Sequence, residues 1–432
     1  MIGNSTAGSV GVPTAPGPAP GPAPGRAVRP PRREAAGQRL LGIPVRPLVA
    51  VELLLTAVAL AAGRSVTAVA AAGTVAALGL VLVLGRHAHR PLLDWVLVWL
   101  RRRRRNRAGA VRPGDPQLAA LREVLPSLGV GGIALRDDQR LAVCFDGTGW
   151  SAVVALHREA DILPDPATAP RVPMGVLAQV LRVDDIPLSG LQVLVHTVPA
   201  PDSRLTDAPI ADSYWQLAGG AFPAVRETFL ILRLDARGGR EAIEARGGGS
   251  DGACRALKRC TSRLLELLEA ASVPARPLAE TPWQAALLEV AGLSAATTPT
   301  GHDAGAAPAA RAPQGRLTRE QRRGLQAGEL THVTWWVRGF PESGAPLDTL
   351  VNLTGQVPAT AAQASFTLYP APSGEVRCRG LLRTAHRSPD LVEAAAVELQ
   401  RRAAAAGVDL QRLDGEHGLG YLSTLPLGGG TL

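Results

Sequence analysis

LVAVELLLTAVALAAGRSVTAVAAAGTVAALGLVLVLG, residues 48–85, holds two apolar runs, Leu48–Gly63 and Val66–Gly85, parted only by Arg64 and Ser65. As one helix of about 38 residues, at ~1.5 Å per residue, it would be nearly twice the ~30 Å thickness of a bilayer's hydrocarbon core. A hairpin of two transmembrane helices within residues 41–90 fits better. Its first span is the weaker, because sixteen residues reach only about 24 Å. Glu52 falls near the start of that span, and Arg46 and Arg64 must snorkel to the two interfaces.

Arginines orient the hairpin. Arg26, Arg29, Arg32, Arg33, Arg39 and Arg46 precede it, while Arg86, Arg90, the run Arg101, Arg102, Arg103, Arg104 and Arg105, and then Arg107 follow it. Excess arginine marks the cytoplasmic side, so the expectation is a multi-pass protein of the cytoplasmic membrane with both ends and the large domain in the cytoplasm. Were the first run only to lie in the interface, the tail would move outside, but the arginine run would still hold the C-terminal side in. Trp95 and Trp99, four apart on one helical face beside that run, suit an amphipathic interfacial helix over 91–107. The same face would equally suit a cytoplasmic extension of the second span packing on a partner. Each arginine near an anionic leaflet contributes on the order of 1 kcal/mol, which makes anionic lipid an expected partner.

A net charge of +9 over 432 residues suggests nucleic acid until it is divided along the chain. Residues 1–107 carry 15 basic and 3 acidic side chains, and residues 108–432 carry 31 and 34. The large domain is therefore slightly acidic, which argues against nucleic acid as a partner. Residues 1–40, with Pro-Gly-Pro-Ala-Pro-Gly-Pro-Ala-Pro at 16–24, read as a disordered cationic tail with no apolar core of a signal peptide. Cys144, Cys254, Cys260 and Cys378 lack metal-ligand spacing and read as free thiols in a reducing compartment.

Residues 108–293 open with a helix near 117–125 and a hairpin of strands 140–146 and 149–157 about Asp146-Gly147. A helix at 176–182 and a strand at 191–198 follow, then a short helix near 211–217 and a strand at 227–234. Next comes a helix after Ser250-Asp251 whose stripe is Ala253, Ala256, Leu257, Cys260, Leu264, Leu267, Leu268 and Ala271. A strand at 273–278 and a helix at 282–293 end this half. Residues 294–316, rich in Ala, Thr, Pro and Gly, are a linker. In 317–432 strands are expected at 332–338, 364–369, 375–382 and 408–413, with helices at 347–353 and from Ser388-Pro389-Asp390 to Gly407. Each half thus reads as βαββαβ, so the fold class is α+β with two ferredoxin-like halves behind a transmembrane hairpin.

Motifs that carry chemistry are thin. Gly247-Gly-Gly-Ser-Asp-Gly252 precedes a helix but lacks the Lys-Ser/Thr of a phosphate loop and a strand running into it, so it reads as a turn. Asp184-Asp185 and Asp137-Asp138 resemble metal-binding carboxylate pairs, yet both sit in turns, where Asp is common. Asp414-Gly-Glu-His417 puts acid and base close together without evident convergence. In Trp335-Trp336 the two indoles of one strand must face opposite ways. If Val333, Trp335 and Val337 take the core, Trp336 needs cover from a helix or a partner, which makes it the candidate interface residue.

The order of parts resembles EccE, the peripheral membrane subunit of type VII (ESX) secretion machinery in actinobacteria. The likeness rests on the hairpin, its arginine-rich exit, Asp146-Gly-Thr-Gly-Trp150, Gly175-Val-Leu-Ala-Gln-Val-Leu181, Leu188-Ser-Gly-Leu-Gln-Val-Leu-Val195, the strand Arg226–Asp235 and Thr424-Leu-Pro-Leu-Gly428. It implies a structural subunit that assembles with EccB, EccC and EccD and acts without catalysis, cofactor, metal or small-molecule substrate. The competing class is a membrane-tethered enzyme, such as a metal-dependent glycosyltransferase with Asp184 and Asp185 at its metal.

Overall fold

A computed structural model describes residues 121–123, 125–135, 139–156, 172–199, 224–293, 318–340 and 346–429, apart from 356, 358 and 372. It also describes 39–40, 43–44, 67, 70, 73, 74, 77, 86–87 and 90–91. Thr67, Ala70, Gly73, Thr74 and Ala77 of the second apolar run are helical, and Thr74 Oγ1 donates to Ala70 O at 2.8 Å. Arg86–His87 pairs antiparallel with Arg90–Pro91. Among the described residues no helix is long and apolar enough to cross a membrane. Most of the expected hairpin, the tail, Trp95, Trp99, Arg101–Arg105, Asp137-Asp138, the helix near 211–217 and the linker lie outside the described residues.

The large domain is built on one antiparallel sheet of twelve strands. In chain order its first half is β1 (Gly129–Ala134), β2 (Arg140–Phe145), β3 (Gly149–Leu156), α1 (Met174–Val180), β4 (Gly190–Pro199), β5 (Ala224–Asp235), α2 (Arg240–Glu244), α3 (Gly249–Ala270), β6 (Ala275–Pro277) and α4 (Glu280–Ala291). Its second half is β7 (Thr318–Glu320), β8 (Leu325–Ala327), β9 (Leu330–Gly339), α5 (Pro346–Gly355), β10 (Ala361–Pro370), β11 (Val376–His386), α6 (Pro389–Ala405), β12 (Asp409–Arg412) and α7 (His417–Ser423).

The two halves repeat one plan. In the first, β3 pairs with β5 on one side and β6 on the other, and β5 also pairs with β4. In the second, β9 pairs with β11 and β12, and β11 with β10. Numbering the four strands of each βαββαβ unit 1 to 4, both halves have the spatial order 4-1-3-2. The repeat reaches further than the sequence suggested: each unit is preceded by a two-strand meander and followed by one helix. The halves join through their second strands, β4 and β10, from Leu191↔Leu368 to Thr197↔Ala362.

Alternation along the strands makes two cores. On one face Leu191, Val193, Val195, Leu230, Leu232, Val333, Trp335 and Val337 pack under α1, α3, α5 and α6. Most of the expected stripe of α3 is buried there, but Leu267 is only partly covered, Ala271 is exposed just past the helix's end, and the helix starts at Gly249 behind Gly248 rather than after Ser250. Residues 240–244, a poor strand by sequence, are the helix α2. Gly247, Gly248 and Gly249 all have positive φ, turning the chain from α2 into α3. Gly252 lets the helices touch, since a Cβ there would run into the carbonyl oxygen of Ile243.

The second face carries α4, α7 and the segment 424–429 over an interior that is partly polar. Gln192 Nε2 donates to Ser365 Oγ (2.9 Å) and Ser423 O (3.0 Å), and Gln192 Oε1 accepts from Gly428 N (2.9 Å), tying the C-terminal segment across the seam. Arg383, fully buried, donates to His332 Nδ1 (3.2 Å), Val290 O (2.6 Å) and Thr424 O (3.4 Å), and its guanidinium lies 4.7 Å from the Tyr421 ring centroid. Those carbonyls end α4 and α7, where the helix dipole is negative. Arg233 joins Asp146 Oδ2 (2.8 Å), Thr148 Oγ1 (2.6 Å) and Leu427 O (2.9 Å).

Burial pushes His332 well below its usual value, His386 down to about 4 and His417 down as well, although Asp414 partly opposes the last shift. A histidine held neutral in the fold binds more protons once unfolded. Stability is therefore complete above pH ~6.5 and falls as pH drops towards 4, by up to about 1.4 kcal/mol per pH unit for each histidine. Glu227, raised by burial and by Glu289, works the other way but is one group against three. Urea midpoints at pH 7.5 and 5.0 should show clearly lower stability at pH 5.0, and equal midpoints would refute the assignment.

Candidate functional site

Trp335 and Trp336 divide as the pattern requires. Trp335 is fully buried in the first core, whereas Trp336 is only partly covered on the second face. Among the described residues α7 and residues 424–429 lie over that face, and Trp336, Tyr369 and Arg379 are only partly covered. Trp336 lies opposite Leu381 of β11, and Arg379, two residues back on the same face, reaches it, with its guanidinium carbon 6.0 Å from the Trp336 ring centroid. The same carbon stands 5.5 Å from the ring of Tyr369 on β10. Arg377 and Arg338, both exposed, flank the group, and Arg338 pairs with exposed Asp409 at 3.6 Å.

Burial lowers the pKa of Arg379, since removing a guanidinium from water disfavours its charge. Tyr369 partly offsets that cost, no carboxylate among the described residues pairs with Arg379, and its Nε is buried without a hydrogen-bond partner. Sequence reasoning found Trp336 but missed Arg379 and Tyr369. The signal for the first was the period-two spacing of Arg377, Arg379 and Arg383 on one strand. Tyr369 joins them only through the register Thr367↔Arg379, which pattern alone does not fix.

The other candidates serve the fold. Asp184 pairs with Arg259 (2.9 Å) and Asp185 takes both ends of Arg246 (2.6 and 2.8 Å), which draws the Asp185 carboxyl down to about 2. These bonds pin the turn of the small hairpin Arg182–Val183/Ile186–Pro187 to α2 and α3. The adjoining cleft, about 330 Å³, is lined by Arg182, Arg259, Arg263 and Glu266 among others. Replacing Asp184 and Asp185 by Ala should therefore leave accumulation and the thermal midpoint nearly unchanged, because exposed pairs contribute little. A collapse of either would show that the turn bears more of the fold's stability than two exposed ion pairs can.

His417 is buried, its Nδ1 accepts from Thr334 N (3.2 Å), and its Nε2 stands 3.7 Å from Asp414 Oδ1. Gly418 N donates to Glu320 Oε1 (2.9 Å), so this cluster anchors the start of α7. In the glycine run, the amides of Gly247, Gly248 and Gly252 already donate to Glu244 O, Ile243 O and Gly248 O, and a helix leads into it. Burial raises Cys144 and Cys260 to about 12, away from thiolate chemistry. Among the described residues no group of three or more His, Cys, Asp or Glu is placed to hold a metal ion.

Residues 222–337, from the start of β5 to Val337 of β9, match the family described as "Putative type VII ESX secretion system translocon, EccE". The chain resembles EccE. The matched segment crosses from the first half into the second and ends just past Trp336, so it takes in the strand that carries the candidate anchor. It covers the closing part of one unit and the opening of the next, and the likeness is to a translocon component of type VII secretion. No curated protein matches the chain.

Proposed function

We propose that this protein is a structural subunit of a type VII secretion membrane complex, working by assembly with other subunits of the EccB, EccC and EccD kind. The observation that carries this reading is the EccE match over residues 222–337. The partly covered Trp336 face supports it, because a strand face that leaves an aromatic half-exposed is a surface built to be covered. In this reading the two apolar runs are a membrane hairpin with both ends in the cytoplasm. Arg86, Arg90 and Arg101–Arg105 hold the large domain against anionic lipid, and Trp95 and Trp99 sit at the headgroup level. The glycosyltransferase alternative gains nothing from Asp184 and Asp185, since both carboxylates are engaged by arginines.

Single cysteines placed at residue 25 and at exposed residue 326, in a chain whose four native cysteines are replaced by Ser, test the topology. Neither should react with a membrane-impermeant maleimide added outside intact cells. Labelling at 25 alone would reduce the anchor to one span, and labelling at 326 would overturn the orientation of the large domain.

A further inference from the structure

Resting on that assembly reading, we propose that the Trp336–Arg379–Tyr369 face binds an acidic segment of a partner protein, with one Asp or Glu carboxylate seated on Arg379. Arg379 is a cation partly withdrawn from water between two rings, with no carboxylate beside it among the described residues and a buried Nε–H left without an acceptor. A planar guanidinium held by flanking rings presents its edge, and a carboxylate is the anion that matches an edge with two parallel hydrogen bonds. Docking would engage the guanidinium's terminal N–H groups, neutralise a charge that burial penalises, and cover Trp336.

The same face argues against a polyanion. Of its three arginines, Arg379 is recessed and Arg338 is paired with exposed Asp409 at the rim, and residues 108–432 hold more acidic than basic side chains. A membrane surface or nucleic acid would meet few free cations here on a domain of net negative charge. A short acidic segment that carries an apolar neighbour for Trp336 needs only one, and exposed Arg377 adds long-range attraction.

The test places p-benzoylphenylalanine at Tyr369 in the full-length chain, irradiates native membranes, and identifies the crosslinked peptide by mass spectrometry. The expected product is a peptide of another membrane-complex protein with Asp or Glu within about four residues of the crosslink. Its yield should fall at least tenfold with Arg379→Glu and about threefold with exposed Arg377→Glu, while Arg379→Lys keeps most of it. A crosslink to lipid, to a second copy of this chain or to a peptide without acid overturns the proposal, as does a yield indifferent to both charge reversals. If the complex co-purifies with the chain but residue 369 crosslinks to nothing, this inference fails and the assembly reading stands. A chain that co-purifies with no other membrane protein removes both.

Discussion

Arg383→Ala should destabilise the large domain by at least about 4 kcal/mol. Truncating a fully buried side chain of this size leaves a cavity, a loss of roughly 3–5 kcal/mol for large core residues. It also strips the donor from Val290 O, Thr424 O and His332 Nδ1, and each buried acceptor left unpaired costs about 1–3 kcal/mol. Burial lowers Arg383 to about 10, so it is charged at neutral pH and is held by the carbonyl ends of α4 and α7 and by the Tyr421 ring rather than by a carboxylate. Because α4 belongs to the first half and α7 to the second, losing the guanidinium loosens both covering helices at once. The thermal midpoint of the detergent-solubilised chain should drop by about 10 °C or more. Arg383→Met, which keeps volume and removes the buried charge, should cost less. Equal midpoints for the parent and Arg383→Ala would show that the helix ends are held by something else.

The second large effect separates neighbouring residues. Trp335→Ala should cost roughly 3–5 kcal/mol of folding stability, because its indole is fully buried beneath the helices of the first face. Trp336→Ala should cost far less, since its indole is only partly buried and faces the Arg379 guanidinium. In binding the order reverses. A buried aromatic anchor contributes about 2 kcal/mol or more to an interface, so a folded Trp336→Ala chain should lose its partners while a Trp335→Ala chain fails before assembly. Protease resistance and complex recovery, measured on the same membranes, separate the two effects. If both variants lose protease resistance equally, Trp336 is a core residue rather than an interface anchor.

Much of the framework was legible because period two and period 3.6 were strong. The stripe of α3, the opposed indoles of β9 and the turn at Asp146-Gly147 each follow from local chemistry. In that turn Asp146 Oδ1 accepts from the Thr148 and Gly149 amides and Gly147 takes φ +93°. Short elements escaped. β1 is half glycine, β7 and β8 have three residues each, and α2 has five, too few for a period to show. The polar seam was hidden for a different reason. Gln192, Ser365 and Arg383 look like surface residues in a linear reading, and only the register of β4 on β10 and the path of 424–429 bury them. The candidate site was half legible on the same grounds, with Trp336 marked by its neighbour and Arg379 and Tyr369 brought in by pairing between strands.

The central claim, that this chain acts by holding a membrane complex together through its exposed sheet face, is tested most directly by recovery of the solubilised complex on a tagged chain carrying Trp336→Asp. The variant should accumulate and resist protease as the parent does, yet recover at least tenfold less of the other subunits, while the Asp184→Ala, Asp185→Ala chain recovers them in full. Full recovery with Trp336→Asp, together with loss of secretion in the Asp184→Ala, Asp185→Ala chain whose complex remains intact, would contradict the account and move the function to the carboxylate pair.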